Sequence, residues 1–365
     1  MTPLIFLSAW PKSDPFNPYL ELLYSRFEDD GIVVDDYRHS LSLPKKITAL
    51  HIHWPEGVFW GQGDGWIGPL AKTLMLSVNI LRIKLRRGIV ITTLHNATPH
   101  QSVSGPKLLV SRLANWITRR SATLVLAMSE HDQKLVASEQ DYAVSQVILH
   151  PHYRDIYNRL RDKPSITPND GPYTIGMVGR MRPSKRVDHA AELFSHIPGD
   201  QTLLVAGDGD QKTVEKLRNI NSEDERVILE LGALSDKGFV DAVLRCKAIL
   251  LNQWDITNSG SVLAALSLDT PVIAPSVPNL EELASEVGSN WLHLYQPPLT
   301  KEALARVLSE LREAGLTQAR APLQKRDPQV VSRRAAQAIR RHWECKRIGP
   351  GEPRPDSARP DSVGN

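Results

Sequence analysis

The chain has 365 residues, 41% hydrophobic and 23% charged, with a formal net charge of +3. That length exceeds one ordinary domain and suits two of about 150 residues, so a disordered or fibrous chain is excluded. The small charge gives no nucleic-acid footprint but suits anionic substrates or an anionic membrane face. Two cysteines, Cys246 and Cys345, give neither a disulfide framework nor a metal spacing, which points to a reducing cytoplasm.

The opening, MTPLIFLSAWPKSD, lacks the basic start of a signal peptide and reads as a first strand, Leu4 to Ser8. Further strands are expected at Ala49 to Trp54, Ile89 to Leu94 and Thr123 to Met128. Helices fill Pro18 to Asp30, Ile67 to Leu85, Pro106 to Arg119 and Glu130 to Glu139. This alternation predicts βαβ units and a parallel sheet. The polar, Pro-rich stretch from Leu160 to Pro172 reads as a linker. The pattern then restarts, with strands at Tyr173 to Val178, Gln201 to Ala206, Val227 to Leu231, Ala248 to Asn252 and Pro271 to Ala274, and a last helix from Pro328 to Cys345. The expected fold is α/β: two tandem Rossmann-like domains, residues 1–160 and 161–345, facing a cleft, with a disordered tail over 346–365 that lacks apolar residues to pack. No apolar run reaches the roughly 18 residues of a membrane span.

In such folds ligands bind beyond the carboxyl ends of the strands, and the unusual residues fall there. The loop Gly179 to Arg186, GRMRPSKR, concentrates cations at a strand-to-helix turn, where Arg180, Arg182 and Lys185 would hold phosphate; a solvated basic turn is the competing reading. Asn258, Ser259, Gly260 and Ser261 open an apolar helix. Their N–H groups and hydroxyls would hold the other side of a diphosphate, against ordinary N-capping. The turn VAGDGD (Val205 to Asp210) lacks a third glycine and is weak evidence for a dinucleotide. In the first half, His51, His53 and Glu56 follow one strand, and His95, Asn96 and His100 follow another. A general base for an alcohol belongs at such a strand end, although each histidine alone has a structural reading. No pair stands at helical ligand spacing, so no metal is expected. The loop LHPHYR brings His150, His152 and Tyr153 to the same edge.

These residues resemble bacterial GT-B glycosyltransferases, through the βα repeats, the basic loop and DTPVIAP (Asp269 to Pro275). The resemblance is closer to the inverting β-mannosyltransferases of xanthan-type exopolysaccharide assembly, through NPYLELLY (Asn17 to Tyr24), HIHWPE (His51 to Glu56), TLHNATPH (Thr93 to His100), LHPHYRD (Leu149 to Asp155), RPSK (Arg182 to Lys185), NSGSVLAALSLDTPVIAP (Asn258 to Pro275) and EVGSNWLHLY (Glu286 to Tyr295). The resemblance implies a hexosyltransferase that uses GDP-mannose as co-substrate, needs no cofactor or metal, and delivers to a polyprenyl-diphosphate-linked acceptor. Glu56 and His95 are the candidate bases, His95 matching the acceptor-side histidine position of related GT-B enzymes, with Asp14 in the first loop next in line; Asn17, His53, Asn96, His100, His152 and Tyr153 are expected on the acceptor side. Two features depart from the retaining family: Ile256 and Ala264 stand where it places paired glutamates, and Arg186 stands where it places a glycine.

The stretch Ile67 to Arg87, apolar with Arg82, Lys84, Arg86 and Arg87 at its end, is either an interfacial helix on anionic lipid or an ordinary buried helix. The first reading places the protein peripherally on the inner face of the membrane. A nucleotide-sugar epimerase of the same plan, a retaining GT-B transferase and a non-catalytic binding protein are the competing functions.

Overall fold

The computed structural model describes residues 4–14, 17–59, 65–95, 105–139, 143–161, 173–253, 260–314 and 320–347. The tail over 346–365, the Pro-rich stretch, Asn96, His100, Asn258 and Ser259 lie wholly or almost wholly outside them. The chain divides into two compact units, Met1–Pro151 with Pro328–Asn365, and His152–Asp327.

The first unit is built from β1 (Ile5–Trp10), α1 (Tyr19–Tyr24), β2 (Ile32–Asp36), β3 (Ala49–Ile52), α2 (Ile67–Leu85), β4 (Ile89–Leu94), α3 (Pro106–Ser121), β5 (Leu124–Ala127), α4 (Glu130–Glu139) and β6 (Val144–Val147). Its six strands are all parallel, in the order β2-β1-β3-β4-β5-β6. The strand order reverses at β1 and β3, so the loops after these strands open side by side. Asp14 and Asn17 follow β1; His53 and Glu56 follow β3.

The second unit carries α5 (Arg154–Leu160), β7 (Thr174–Val178), α6 (Val187–Ser195), β8 (Thr202–Gly207), α7 (Gln211–Glu223), β9 (Val227–Leu231), α8 (Asp236–Leu244), β10 (Ala248–Leu250), α9 (Gly260–Ser267), β11 (Val272–Pro275), α10 (Pro278–Val287), β12 (Leu292–Tyr295) and α11 (Lys301–Ala314). Its order, β12-β11-β10-β7-β8-β9, is that of a dinucleotide-binding sheet, with the reversal between β7 and β10. The basic loop follows β7, and Gly260 and Ser261 open the helix that comes after β10.

Two expectations are corrected here. The last helix, α12 (Pro328–Arg347), belongs to the first unit, not the second. Its apolar face, Val331, Ala335, Ile339 and Trp343, packs with Leu20, Leu23 and Phe27 in one core. Ser332 Oγ donates to the Leu23 carbonyl (2.6 Å) and accepts from the Arg26 N–H (2.9 Å), which closes the end of α1. The boundary also falls earlier than residue 160, because α5 is tied to the second unit: Arg154 pairs with Asp269 (2.5 Å) and bonds the Ala321 carbonyl (2.7 Å). The sequence reading also lacks β2, β6 and β12, and each is an edge strand of four or five residues. An edge strand is flanked on one side only, so its apolar run is short and weak.

Candidate functional site

In the second unit, β7 ends at Gly179, whose φ of +105° lets the chain turn back toward β8. Gly179 N–H donates to the Ala206 carbonyl (2.8 Å) and Met181 N–H to that of Asp208 (2.6 Å). Gly207 must be glycine, since a Cβ there would lie 2.2 Å from the Gly179 carbonyl oxygen. The loop then makes a 3-10 turn over Pro183–Lys185 and enters α6. A hollow lined by Gly179, Met181, Lys185, Asn252, Gln253 and Ser261 opens there, at the strand-order reversal. Lys185 Nζ folds back over Gly179. Burial lowers its pKa first and the neighbouring Arg182 cation adds to this, while Asp208 pulls the other way. Asp208 is itself paired with Arg180 at 3.6 Å. Arg182 is exposed.

Arg186, where the resembling family has glycine, keeps the glycine conformation (φ +47°, ψ +45°). The fully buried Asn252 holds it there: its side-chain amide donates to the Arg186 carbonyl (3.1 Å) and approaches His189 Nδ1 (3.2 Å), and its oxygen accepts from Tyr295 (3.2 Å). Left-handed backbone costs a non-glycine residue about 1 kcal/mol. Arg186→Gly should therefore leave thermal stability unchanged or raise it by up to about 1 kcal/mol, whereas Arg186→Val should lower it by about 1–2 kcal/mol. A thermal melt in which glycine is the worse of the two would refute this account. Asn252 carried no signal in the sequence, because its role depends on a contact across 66 positions.

Gly260 and Ser261 open α9, and the Tyr153 hydroxyl lies 3.4 Å from where a Cβ on Gly260 would stand. Tyr153 and His152 thus belong to the second unit, both buried; their backbone N–H groups donate to Ser267 Oγ (2.9 Å) and the Arg326 carbonyl (2.8 Å). Ala264, one of the two positions without a glutamate, is buried in α9.

In the first unit, alternation along β3 puts His51 and His53 on one face, with ring centroids 4.1 Å apart. Tyr24, from the end of α1, sits between them: its hydroxyl is 2.9 Å from His51 Nδ1 and 2.6 Å from His53 Nε2. His51 Nε2 meets Thr93 Oγ1 (2.8 Å), and His53 Nδ1 meets His95 Nε2 (3.1 Å). His95 stacks on Trp54 (4.3 Å), and the edge of Tyr19 stands 5.1 Å away. Burial pushes the His51 pKa down to about 3 and lowers those of His53 and His95 well below the usual imidazole value, so all three rings are neutral. His53 is thus an interior residue with both ring nitrogens engaged. Asn17 caps α1 by accepting the Tyr19 N–H (3.1 Å). Glu56 lies in the 3-10 turn Pro55–Phe59 that follows β3. Tyr19, Tyr24 and Thr93 were not singled out from the sequence; the His-x-His alternation was the visible trace of this cluster. Among the described residues no group of histidine, cysteine or carboxylate side chains is arranged to hold a metal.

Residues 158–325 match the family Glycosyl transferases group 1. Over 313 residues the chain is 25% identical to the GDP-mannose:glycolipid 4-beta-D-mannosyltransferase of Xanthomonas campestris pv. campestris, covering 85% of this chain and 84% of the relative. The fold is similar to that of Anabaena HepE, solved in complex with UDP and glucose (TM-score 0.63, 15% identity, 92% of this chain and 99% of that one). It is also similar to a putative UDP-N-acetylglucosamine 2-epimerase from Listeria monocytogenes (TM-score 0.55, 14% identity, 93% and 97%). Fold likeness alone does not separate transfer from epimerisation. Residues 158–325 thus match the group 1 glycosyl transferase domain, and the chain as a whole shares the two-sheet fold of these solved structures.

Proposed function

We propose that this glycosyltransferase moves mannose from GDP-mannose onto a polyprenyl-diphosphate-linked glycan by direct, inverting displacement. The observation that carries this reading is the 25% identity with the Xanthomonas enzyme across 85% of the chain. In this reading the second unit holds the leaving diphosphate. Lys185 and Arg182 neutralise it, Arg180 adds charge, and the α9 start, with Gly260 and Ser261, supplies N–H and hydroxyl donors. A dianion beside Lys185 would offset both the burial and the Arg182 repulsion that depress its pKa. These cations do the work a divalent ion does in other transferases. The first unit supplies the base, Glu56 or His95.

The test is a transfer assay with radiolabelled GDP-, UDP- and dTDP-sugars and a lipid-linked acceptor. Label is expected to pass from GDP-mannose to the acceptor, with inversion at the anomeric carbon. Epimerised nucleotide sugar without acceptor labelling would favour the epimerase reading. Lys185→Ala should lower turnover roughly 10²–10³-fold, equivalent to about 2–4 kcal/mol of transition-state stabilisation. Unchanged turnover in a folded Lys185→Ala protein would remove the diphosphate assignment.

An exposed apolar face suits a lipid-linked acceptor. No helix among the described residues is long and apolar enough to cross a membrane. One side of α2 is buried through Thr73, Leu76, Ile80 and Ile83, yet its other side is also apolar. Ile67, Leu74, Val78, Leu81 and Leu85 are exposed by 38% (Val78) to 75% (Leu85). Leu109 and Trp116 extend this face onto the adjoining α3. One face of α2 is thus core and the other is bare. With Arg82, Lys84, Arg86 and Arg87 at its end, that face suits anionic lipid. The protein should bind anionic vesicles and be weakened by salt. Leu81→Ser with Leu85→Ser should remove about 1–1.5 kcal/mol per side chain, and hence weaken partition at least roughly tenfold. Equal binding to neutral and anionic vesicles, or no loss in the double variant, would count against the surface.

A further inference from the structure

The loop that carries Lys185 is held at its two ends by different means. Its start is pinned to β8 by the backbone bonds of Gly179 and Met181. Its end is Arg186, in a left-handed conformation that is unfavourable for a residue with a Cβ. Such a turn tends toward ordinary backbone, and that change would swing Lys185, the residue before it. The support against it comes from outside the loop. The Arg186 carbonyl accepts the Ala190 N–H, as the start of α6 requires, and also a side-chain N–H of Asn252, both at 3.1 Å.

The chemistry of that contact decides which way the amide points. A carbonyl oxygen only accepts, so the Asn252 group that faces Arg186 is the NH2, and the amide oxygen is left to accept from the Tyr295 hydroxyl at 3.2 Å. The NH2 also approaches His189 Nδ1 (3.2 Å). Tyr295 ends β12 and reaches past β11 to the end of β10, where its hydroxyl also donates to the Leu251 carbonyl (3.0 Å). Asn252 and Tyr295 are each only 1% exposed, so the brace from β12 to the basic loop lies inside the unit. Asn252 lines the hollow beside Gly179, Lys185 and Ser261. Its NH2 is engaged by the loop and by His189, and its oxygen would repel an anion. It can serve a diphosphate only through the loop.

We propose that Asn252, held by Tyr295, is a positioning residue for sugar transfer: by keeping Arg186 left-handed it keeps Lys185 over Gly179, where the lysine charge meets the leaving diphosphate. The inference rests on the transfer reading above. Misplacing a charged group by about 1 Å at a reacting centre costs up to about 10²-fold in rate, so a loop that drifts is enough to slow the reaction while the fold stays intact.

Coupled substitutions in the full-length protein test this. Asn252→Ala should lower turnover roughly 10–10²-fold and weaken GDP binding, measured by calorimetry, severalfold. A merely structural asparagine would give the same loss whatever stands at positions 185 and 186; a positioning one would not. In the Lys185→Ala background, Asn252→Ala should cost less than about threefold further in turnover, because the group it places is gone. In the Arg186→Gly background it should also cost less than about threefold, because glycine takes the left-handed turn without strain. The full loss in either background overturns the proposal. If Asn252→Ala does not fold, Tyr295→Phe removes a single oxygen from the same brace and should lose about three- to tenfold in turnover, again only while Lys185 is present. A wild-type protein that bound neither GDP nor UDP and transferred no sugar would remove the transfer reading itself. A working enzyme in which the losses simply multiply removes the positioning role alone.

Discussion

Glu56→Gln is expected to lower sugar transfer by about 10²–10⁴-fold while donor affinity, measured by calorimetry, stays within a few-fold of wild type. Three observations lead there. A carboxylate suits the base of a direct displacement, because it takes the acceptor proton only as the new bond forms. Glu56 stands in the turn after β3, at the order reversal of the first sheet, where a ligand of that unit belongs. The competing candidate, His95, meets His53 through its Nε2 and has a pKa depressed well below the usual imidazole value by burial, first, and then by the neighbouring histidines His150 and His51. So weak a base would contribute little at the pH where the enzyme works. If Glu56→Gln keeps near-normal turnover, the base lies elsewhere, and Asp14 in the loop after β1 is the next residue to replace.

Acid should unfold the first unit steeply. His51 and His53 are essentially fully buried, and desolvation holds the His51 pKa near 3 and that of His53 well below the ordinary imidazole value. The folded-state values are depressed, so the stability these groups contribute is fully present above the unfolded value of about 6.5. It is lost progressively as pH falls toward the folded values, because the unfolded chain takes up protons that the folded one refuses. A group whose folded pKa lies well below 5 contributes a slope of about 1.4 kcal/mol per pH unit below 6.5, so His51 alone should make the unit about 2 kcal/mol less stable at pH 5 than at pH 8, and His53 acts in the same direction. Urea unfolding at the two pH values measures the difference, and His51→Gln should remove about 2 kcal/mol of it. A variant with the same pH dependence as wild type would contradict the assignment of that slope to the buried pair.

The sequence by itself determined the class and the parts. Alternating apolar strands and amphipathic helices of ordinary length predict parallel α/β units, and β1, β3, β4, β5, β7, β8, β9, β10 and β11 stand where their apolar runs lie. The cations at Arg180, Arg182 and Lys185 were legible because charge placed where a strand gives way to a helix is a local signal. The short strands β2, β6 and β12, three of the four edge strands, were not, since few apolar residues mark them; the fourth edge strand, β9, was. Only the tertiary structure decided where α12 belongs: its stripe of Val331, Ala335 and Ile339 fits any apolar surface, and the Ser332 contacts with α1 are made more than 300 positions away. The same holds for the histidine cluster. His51 and His53 announce a shared strand face, but a tyrosine 27 and 29 positions earlier is what joins two separate imidazoles into one polar cluster. Which side chains meet is a property of neighbours brought together by folding, and no spacing along the chain encodes it.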